Sequence, residues 1–336
     1  MPSLFFYISR LPEKNWNYYD GLRQSKIIRK PFVTENTSTQ FMEQYFKTGG
    51  KLPVFTQLSL NNYGVNRADH TISIFFLGII IHQKTILKEK TFYSDDVNHL
   101  YAFFPFIWFI SCLAHDFAFY LETETEEFKK FPDTETFKKK LHIKHDLLLQ
   151  KISHIPQDLF ELCDAYFRYR HTSNKLDHGI YAGIALFDKL VENRIEKKQM
   201  RQTNLFWENA LDKEYSYACA TIALHNMWFP KEDKFSEYRL NGLGKMIGRS
   251  QITFDEAPLL FLLGIVDTID PVKAYHEKTP EFVLKNVFLT FPDSKSFQIR
   301  ISSKLNFETI EKKVRNLAGW LDTGISLSQR RIRILL

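Results

Sequence analysis

The stretch LYAFFPFIWFISCLAHDFAFYL, residues 100–121, decides the fold of this chain. It is apolar for almost the length of a membrane span, yet it contains two adjacent ionisable residues, His115 and Asp116. A span needs about 20 apolar residues. A carboxylate in hydrocarbon costs several kcal/mol unless it is paired or bound to a metal. We therefore predict a buried core helix that ends at a polar site, and no membrane partner.

The composition is that of an ordinary globular protein. The chain has 336 residues, of which 44% are hydrophobic and 25% charged, enough for one large core or two unequal ones. Its 3 cysteines fit no CxxC spacing, which argues against a disulfide framework and a thiolate zinc site. With no convincing signal peptide at residues 1–16, a cytoplasmic location is expected. The net charge of +6 suits an anionic substrate without selecting nucleic acid over a nucleotide.

The spacing of apolar residues divides the chain into three parts. Residues 1–60 are predicted to be an N-terminal helical lead-in, residues 61–283 a helical domain, and residues 284–336 a small β-β-α-β appendage. The predicted helices of the central domain cover residues 69–84, 97–121, 135–152, 157–170, 177–198, 213–228 and 257–269. In the appendage, VFLTF (287–291), SFQIRIS (296–302) and ISLSQRRIRILL (325–336) are predicted strands, and residues 307–321 a helix.

Four histidines and one aspartate stand at the borders of these apolar runs. His70 precedes TISIFFLGIII, His115 follows FIWFISCLA, and His178 begins HGIYAGIALF. His225 follows ACATIAL, and Asp267 follows PLLFLLGIV. A single histidine at such a border is commonly a hydrogen-bonded core residue. Together, apolar helices that each present one ligand to a common point indicate a metal site in a helical bundle.

The order of these residues resembles the HD superfamily of metal-dependent phosphohydrolases over residues 67–273. The resemblance lies in His70, the pair His115-Asp116, His178, His225 and Asp267. It implies an HD-type helical bundle, which together with the predicted C-terminal α+β appendage gives a mainly α fold. It also implies one metal ion held by His70, His115, Asp116 and Asp267, and a second held by Asp116, His178 and His225.

The resemblance further implies two divalent transition-metal ions as cofactors, drawn from Mn, Fe, Ni, Co and Zn, which nitrogen and oxygen ligands suit. Such ions, about 3.5–4 Å apart, clamp phosphate oxygens and turn a bridging water into hydroxide that attacks phosphorus. Asp116 and Lys175 are the predicted catalytic residues. The predicted substrate-binding residues are Arg67, Arg170, Lys175 and Lys245. Lys245 lies in GLGKMIG (242–248), which matches neither of the glycine-rich phosphate-binding motifs and is predicted to be a loop.

Some features compete with this ligand set or depart from the family pattern. His145-Asp146 is a second HD dipeptide, predicted to lie on a surface or half-buried helix beside a lysine-rich stretch. His99 is the substitute for His70 as first ligand. After His115-Asp116, HDFAFYLE lacks the glycine and the lysine found in many HD sequences, and His225-Asn226 stands where some binuclear relatives have consecutive histidines. These departures argue against a third metal ion and leave the presence of the second open. Glu122 falls where a carboxylate could contact a metal ligand or line the entrance of the site.

Several functions therefore stay open. The leading hypothesis is a phosphohydrolase or phosphodiesterase that acts on a nucleotide or phosphodiester, with an anionic phosphate-containing substrate. The alternatives are a single-strand nuclease of HD type, a non-catalytic module that senses a nucleotide or binds a partner, and a two-iron oxygenase. Nucleic acid as a partner and a homo-oligomeric state are both compatible with the sequence.

Overall fold

The computed structural model describes residues 1–17, 28–58, 64–90, 92, 104–123, 128–200 and 211–336. Within these residues the protein is mainly helical, with a small four-stranded antiparallel sheet near the C-terminal end. This confirms the predicted mainly α class. His99 and the first residues of the predicted helix 97–121 lie outside the described residues.

The α-helices follow one another in four groups along the chain. The first group is α1 (Leu4–Arg10), α2 (Ser38–Thr48), α3 (Leu52–Gln57) and α4 (Val65–Lys84). The second is α5 (Phe104–Ala114), α6 (Phe119–Thr123), α7 (Thr134–Lys140), α8 (Gln157–Phe160) and α9 (Cys163–Thr172). The third is α10 (His178–Gln199), α11 (Leu211–Leu224) and α12 (Phe235–Leu240). The last is α13 (Pro258–Ile269), α14 (Pro271–Ala274), α15 (Pro280–Asn286) and α16 (Phe307–Val314).

The core forms around α5, whose residues are all buried. Helix α5 packs against α4 and α11, α10 packs against α11, and α13 packs against α4 and α11. Among the described residues, Phe104–Glu122 is the segment long and apolar enough to cross a membrane, but 89% of it is buried inside the protein. The segment is thus enclosed by the protein's own helices, as a core segment is.

Two glycines let α10 and α11 approach each other closely. A Cβ atom on Gly183 would lie 2.5 Å from the carbonyl oxygen of Cys219, and one on Gly179 would lie 2.9 Å from Nδ1 of His225. Neither distance is compatible with van der Waals contact. The close approach therefore depends on the absence of side chains at these two positions.

The predicted helix 135–152 is interrupted. Helix α7 ends at Lys140, and His142 has a φ of 53°, which a continuing helix does not allow. The carboxylate of Asp188, on α10, accepts hydrogen bonds from the backbone amides of Lys144 and His145 at 2.9 Å each. These contacts replace helical hydrogen bonds, so the His145-Asp146 dipeptide lies in a half-buried loop rather than on a helix.

The C-terminal sheet contains one strand more than the sequence predicts. Its strands are β1 (Val287–Asp293), β2 (Ser296–Ile301), β3 (Ile325–Ser328) and β4 (Arg331–Leu335), in the order β1-β2-β4-β3. The segment 325–336, predicted as a single strand, is a hairpin because its turn contains Arg330 with a φ of 63°. The predicted helix 307–321 ends at Val314.

Residues 2–10 contact this C-terminal region. The amide of Leu289 on β1 donates to the carbonyl oxygen of Pro2 at 3.1 Å, and Ser3 bridges to Phe288. Helix α1 packs against α15 and β1. The two ends of the described chain are therefore parts of one packed structure.

Candidate metal centre

The six residues predicted as metal ligands lie together at the centre of the helical region. His70 is on α4, His115 and Asp116 follow the end of α5, His178 begins α10, His225 follows α11, and Asp267 is near the end of α13. All are buried except Asp267, whose side chain is 19% exposed. Buried ionisable groups need partners or a metal ion, and here they are one another's neighbours.

Asp116 lies in the middle of this cluster. Its Oδ2 atom is 3.6 Å from Nε2 of His70 and 3.5 Å from Nε2 of His115. Its Oδ1 atom is 3.3 Å from Nε2 of His178. The two oxygens of one carboxylate therefore face different histidines.

Two compact sets of donor atoms result. Oδ1 of Asp267 is 3.0 Å from Nε2 of His70 and 3.6 Å from Nε2 of His115, and these three residues form the first set. The second set is formed by His115, Asp116 and His225. In each set the donor atoms lie within 4.8 Å of one another. His178 adjoins the second set, because its Nε2 atom is 3.3 Å from Nε2 of His225. These buried histidine and aspartate groups are able to hold a metal ion.

The other nitrogen of each histidine faces an acceptor that has no proton to give. Nδ1 of His70 faces Oδ2 of Asp270 at 2.8 Å, and Nδ1 of His115 faces the carbonyl oxygen of Cys112 at 2.7 Å. Nδ1 of His178 faces Oε2 of Glu122, and Nδ1 of His225 faces the carbonyl oxygen of Ile222 at 2.6 Å. Each Nδ1 atom therefore carries the proton, and in a neutral ring Nε2 is the basic nitrogen. The Nε2 atoms of His70 and His115 are buried and make no hydrogen bond of normal geometry. Buried, basic nitrogens held in this way fit a metal ion.

The charges in the cluster also suit cation binding. Burial alone would raise the pKa of Asp116, but His115, Lys273, His178 and Arg67 hold it well below its usual value. Burial and the neighbouring His178 lower the pKa of His225 to about 3, so this ring is neutral at physiological pH. Although burial opposes it, hydrogen bonding to Asp116 and Glu122 raises the pKa of His178 to about 9. A metal ion at His178 would have to displace that proton.

Three further residues complete the cluster. Asp270 holds His70, Glu122 holds His178, and the ammonium of Lys273 is 2.6 Å from Oδ1 of Asp267. From the sequence, Glu122 was expected to contact a metal ligand or to line the entrance of the site, and the structure places it against His178. Asp270 and Lys273 were not predicted. The sequence carries one signal for Asp270: it stands directly before Pro271, as an N-cap residue does at the start of a helix. Lys273 lies six residues after Asp267, a spacing that does not by itself indicate contact.

The structure brings some of the predicted substrate-binding residues to the cluster and not others. The guanidinium of Arg67 forms an ion pair with Asp116, and that of Arg170 forms one with Glu122. Lys175 is exposed in the loop before His178, near enough to Glu122 to lower the pKa of that carboxyl. Lys245 is different: its ammonium pairs with Glu161 at 3.7 Å, and no contact among the described residues joins it to the cluster.

Comparison with models of known protein families, with curated proteins and with solved structures found no match. Imidazole nitrogens and carboxylate oxygens, with no thiolate, suit divalent transition metals better than Mg²⁺ alone.

Proposed function

We propose that this protein is a metal-dependent phosphohydrolase of the HD type that hydrolyses a nucleotide or phosphodiester. The observation that carries the proposal is the position of Asp116, whose Oδ2 atom faces His70 and His115 while its Oδ1 atom faces His178. A carboxylate in this position is suited to bridge two cations. The order of the six ligands along the chain, shared with HD proteins, supports the same function.

The ligands divide between two ions of Mn, Fe, Ni, Co or Zn. His70, His115, Asp116 and Asp267 would hold one ion, while Asp116, His178 and His225 would hold the other. When bound, two such ions polarise a phosphate ester and supply a hydroxide nucleophile near neutral pH.

The chain's own residues orient the ligands and receive the substrate. Asp270 and Glu122 hold His70 and His178 with Nε2 directed into the cluster. Arg67 and the exposed Lys175 lie beside the ligands, where cationic groups attract and orient a phosphate. The buried apolar residues of α5, which directly precede His115 and Asp116, exclude water and strengthen these electrostatic interactions.

The test begins with metal content, measured by plasma mass spectrometry on protein purified without chelator. We expect close to two transition-metal ions per chain, by analogy with binuclear phosphohydrolases, and metal-dependent hydrolysis of bis-p-nitrophenyl phosphate. His115→Ala should abolish both. His145→Ala, in the other HD dipeptide, is the matched control and should change neither. If the protein binds no metal after reconstitution with Mn, Fe, Ni, Co and Zn, the proposal is wrong.

A further inference from the structure

Three cationic side chains from distant parts of the chain converge beside the cluster. Arg67 of α4 pairs with Asp116, and its guanidinium carbon is 3.5 Å from the centre of the Phe119 ring. Lys273 of α14 pairs with Asp267. The third is Lys313 of α16, which belongs to the C-terminal α+β region. Arg67 and Lys273 are partly exposed, with 27% and 32% of their side-chain surface accessible, so both reach solvent beside the buried ligands.

The position of Lys313 follows from the packing of α16. This helix contacts α13, which carries Asp267, and α14, which carries Lys273. Lys313 is half-buried and forms no ion pair with any residue in the described ranges, whereas the adjacent Lys312 is exposed. Burial first, and then the charge of Lys273, lower the pKa of Lys313, and Asp267, Asp270 and Arg67 are also close enough to act on it. Lys313 is therefore on the side of α16 that faces the cluster.

The balance of charge in the cluster indicates that these three cationic side chains bind an anion. Without a metal ion, Arg67 and Lys273 are paired with the carboxylates of Asp116 and Asp267. Divalent cations at Asp116 and Asp267 would neutralise these carboxylates and leave the three side chains as an excess of positive charge in a partly desolvated place. Like charges held together in this way repel unless an anion lies between them.

We infer that Arg67, Lys273 and Lys313 form one binding site for a chain of adjacent phosphate groups, so that the substrate is a di- or triphosphate compound. This inference rests on the proposed function and deepens it. Three cationic side chains close together match a diphosphate or triphosphate, whose negative charges lie on adjacent phosphate groups. A nucleic-acid strand carries one charge per phosphate and needs cations spread along a groove. The C-terminal region thus supplies part of the substrate site through Lys313.

The inference is tested by calorimetric titration with methylenediphosphonate, whose P–C–P bridge cannot be hydrolysed, and with methylphosphonate as the single-phosphate comparison. The full-length protein is loaded with Mn²⁺, and a small excess of Mn²⁺ is kept in solution. We expect Lys313→Gln to weaken binding of the diphosphonate by about tenfold, the typical loss of one charge-assisted contact. Lys312→Gln is the matched control on the same helix and should bind as the unmodified protein does.

For each variant, the metal content and the midpoint of urea unfolding are also measured. These two values show whether weaker binding comes from the loss of one contact or from the loss of the folded structure. Weaker diphosphonate binding by Lys313→Gln, with both of these unchanged, supports the inference. Unchanged binding overturns it while leaving the proposed function standing, as does equal affinity for the two phosphonates. If no metal binds at all, the proposed function fails, and the inference fails with it, because the excess of positive charge arises only when cations occupy Asp116 and Asp267. Metal binding together with unchanged diphosphonate binding by Lys313→Gln therefore identifies failure of the inference alone.

Discussion

Nδ1 of His70 lies 2.8 Å from Oδ2 of Asp270, although 200 residues separate the two in the chain. The same carboxylate accepts hydrogen bonds from the hydroxyl of Ser73 and from the backbone amides of Val272 and Lys273. With four donors around it, the fully buried Asp270 cannot rotate without breaking several bonds. It therefore fixes both the tautomer and the direction of the His70 ring.

Replacing Asp270 should weaken metal binding without removing a ligand. In Asp270→Asn the side chain keeps its size but loses its charge, so its hold on the His70 proton is weaker. We expect metal affinity to fall by about 10- to 100-fold, as is typical when the partner of a ligand histidine is changed. Competition with a chelating dye would measure this loss. Asp255→Asn, at an exposed surface ion pair, is the control, and equal affinities for the two variants would contradict the prediction.

Glu122 should matter for His178 in particular. Its two oxygens accept from His178 and from Arg170, so Glu122→Gln weakens both contacts, although Asp177 remains close to the guanidinium of Arg170. We expect metal content to fall from about two ions towards one, because His178 is the one candidate ligand that Glu122 holds. Glu135→Gln, with an 81% exposed side chain, should retain the full metal content. Simultaneous loss of both ions would show that Glu122 acts on the whole cluster instead.

Gly183 sets the separation of α10 and α11. In Gly183→Ala the new methyl group would meet a backbone carbonyl oxygen at 2.5 Å, so the helices have to move apart. Overpacking of this kind typically costs about 1–3 kcal/mol of unfolding free energy, measurable by urea titration. Gly244→Ala is the control, since nothing lies within 4 Å of a Cβ atom there. Equal stability of the two variants would mean that α10 and α11 tolerate a wider separation.

His82 should make the protein sensitive to acid. Its ring stacks on Phe104 with centroids 3.7 Å apart, and burial lowers its pKa to about 3. The unfolded chain takes up a proton near pH 6.5, so below that pH the unfolded state binds more protons than the folded state. Stability should therefore fall as pH decreases from 6.5 towards 3, by at most about 1.4 kcal/mol per pH unit from this group.

His82→Phe removes this titration while keeping a ring to stack on Phe104. Urea unfolding at several pH values between 6.5 and 4 should show a shallower loss of stability in this variant. His276→Phe, at an exposed position, controls for the substitution itself. An unchanged slope in His82→Phe would assign the acid sensitivity to other groups.

The sequence predicted the helical class because the apolar runs of the central domain are long and nearly uninterrupted. The local pattern of apolar residues also placed the candidate ligands at the borders of those runs, where helices begin or end. What it missed depends on distant residues: Asp188 turns the predicted helix 135–152 into a loop at His145. The packing of α16 against α13 and α14, which carry Asp267 and Lys273, is likewise not recorded by any local pattern. Membership of the HD superfamily stays a prediction.

The pairing of Pro2 with Leu289 has a consequence for biosynthesis. On the ribosome, the first helix cannot complete its packing until β1 has emerged, and the candidate ligands are not all present until Asp267 has been made. At typical rates of about 5–20 residues per second, this delay is on the order of tens of seconds. Throughout it, the segment Phe104–Ala114, apolar except for Ser111, lacks its later partners, so the nascent chain should depend on chaperones and complete the candidate metal site only after Asp267 has emerged.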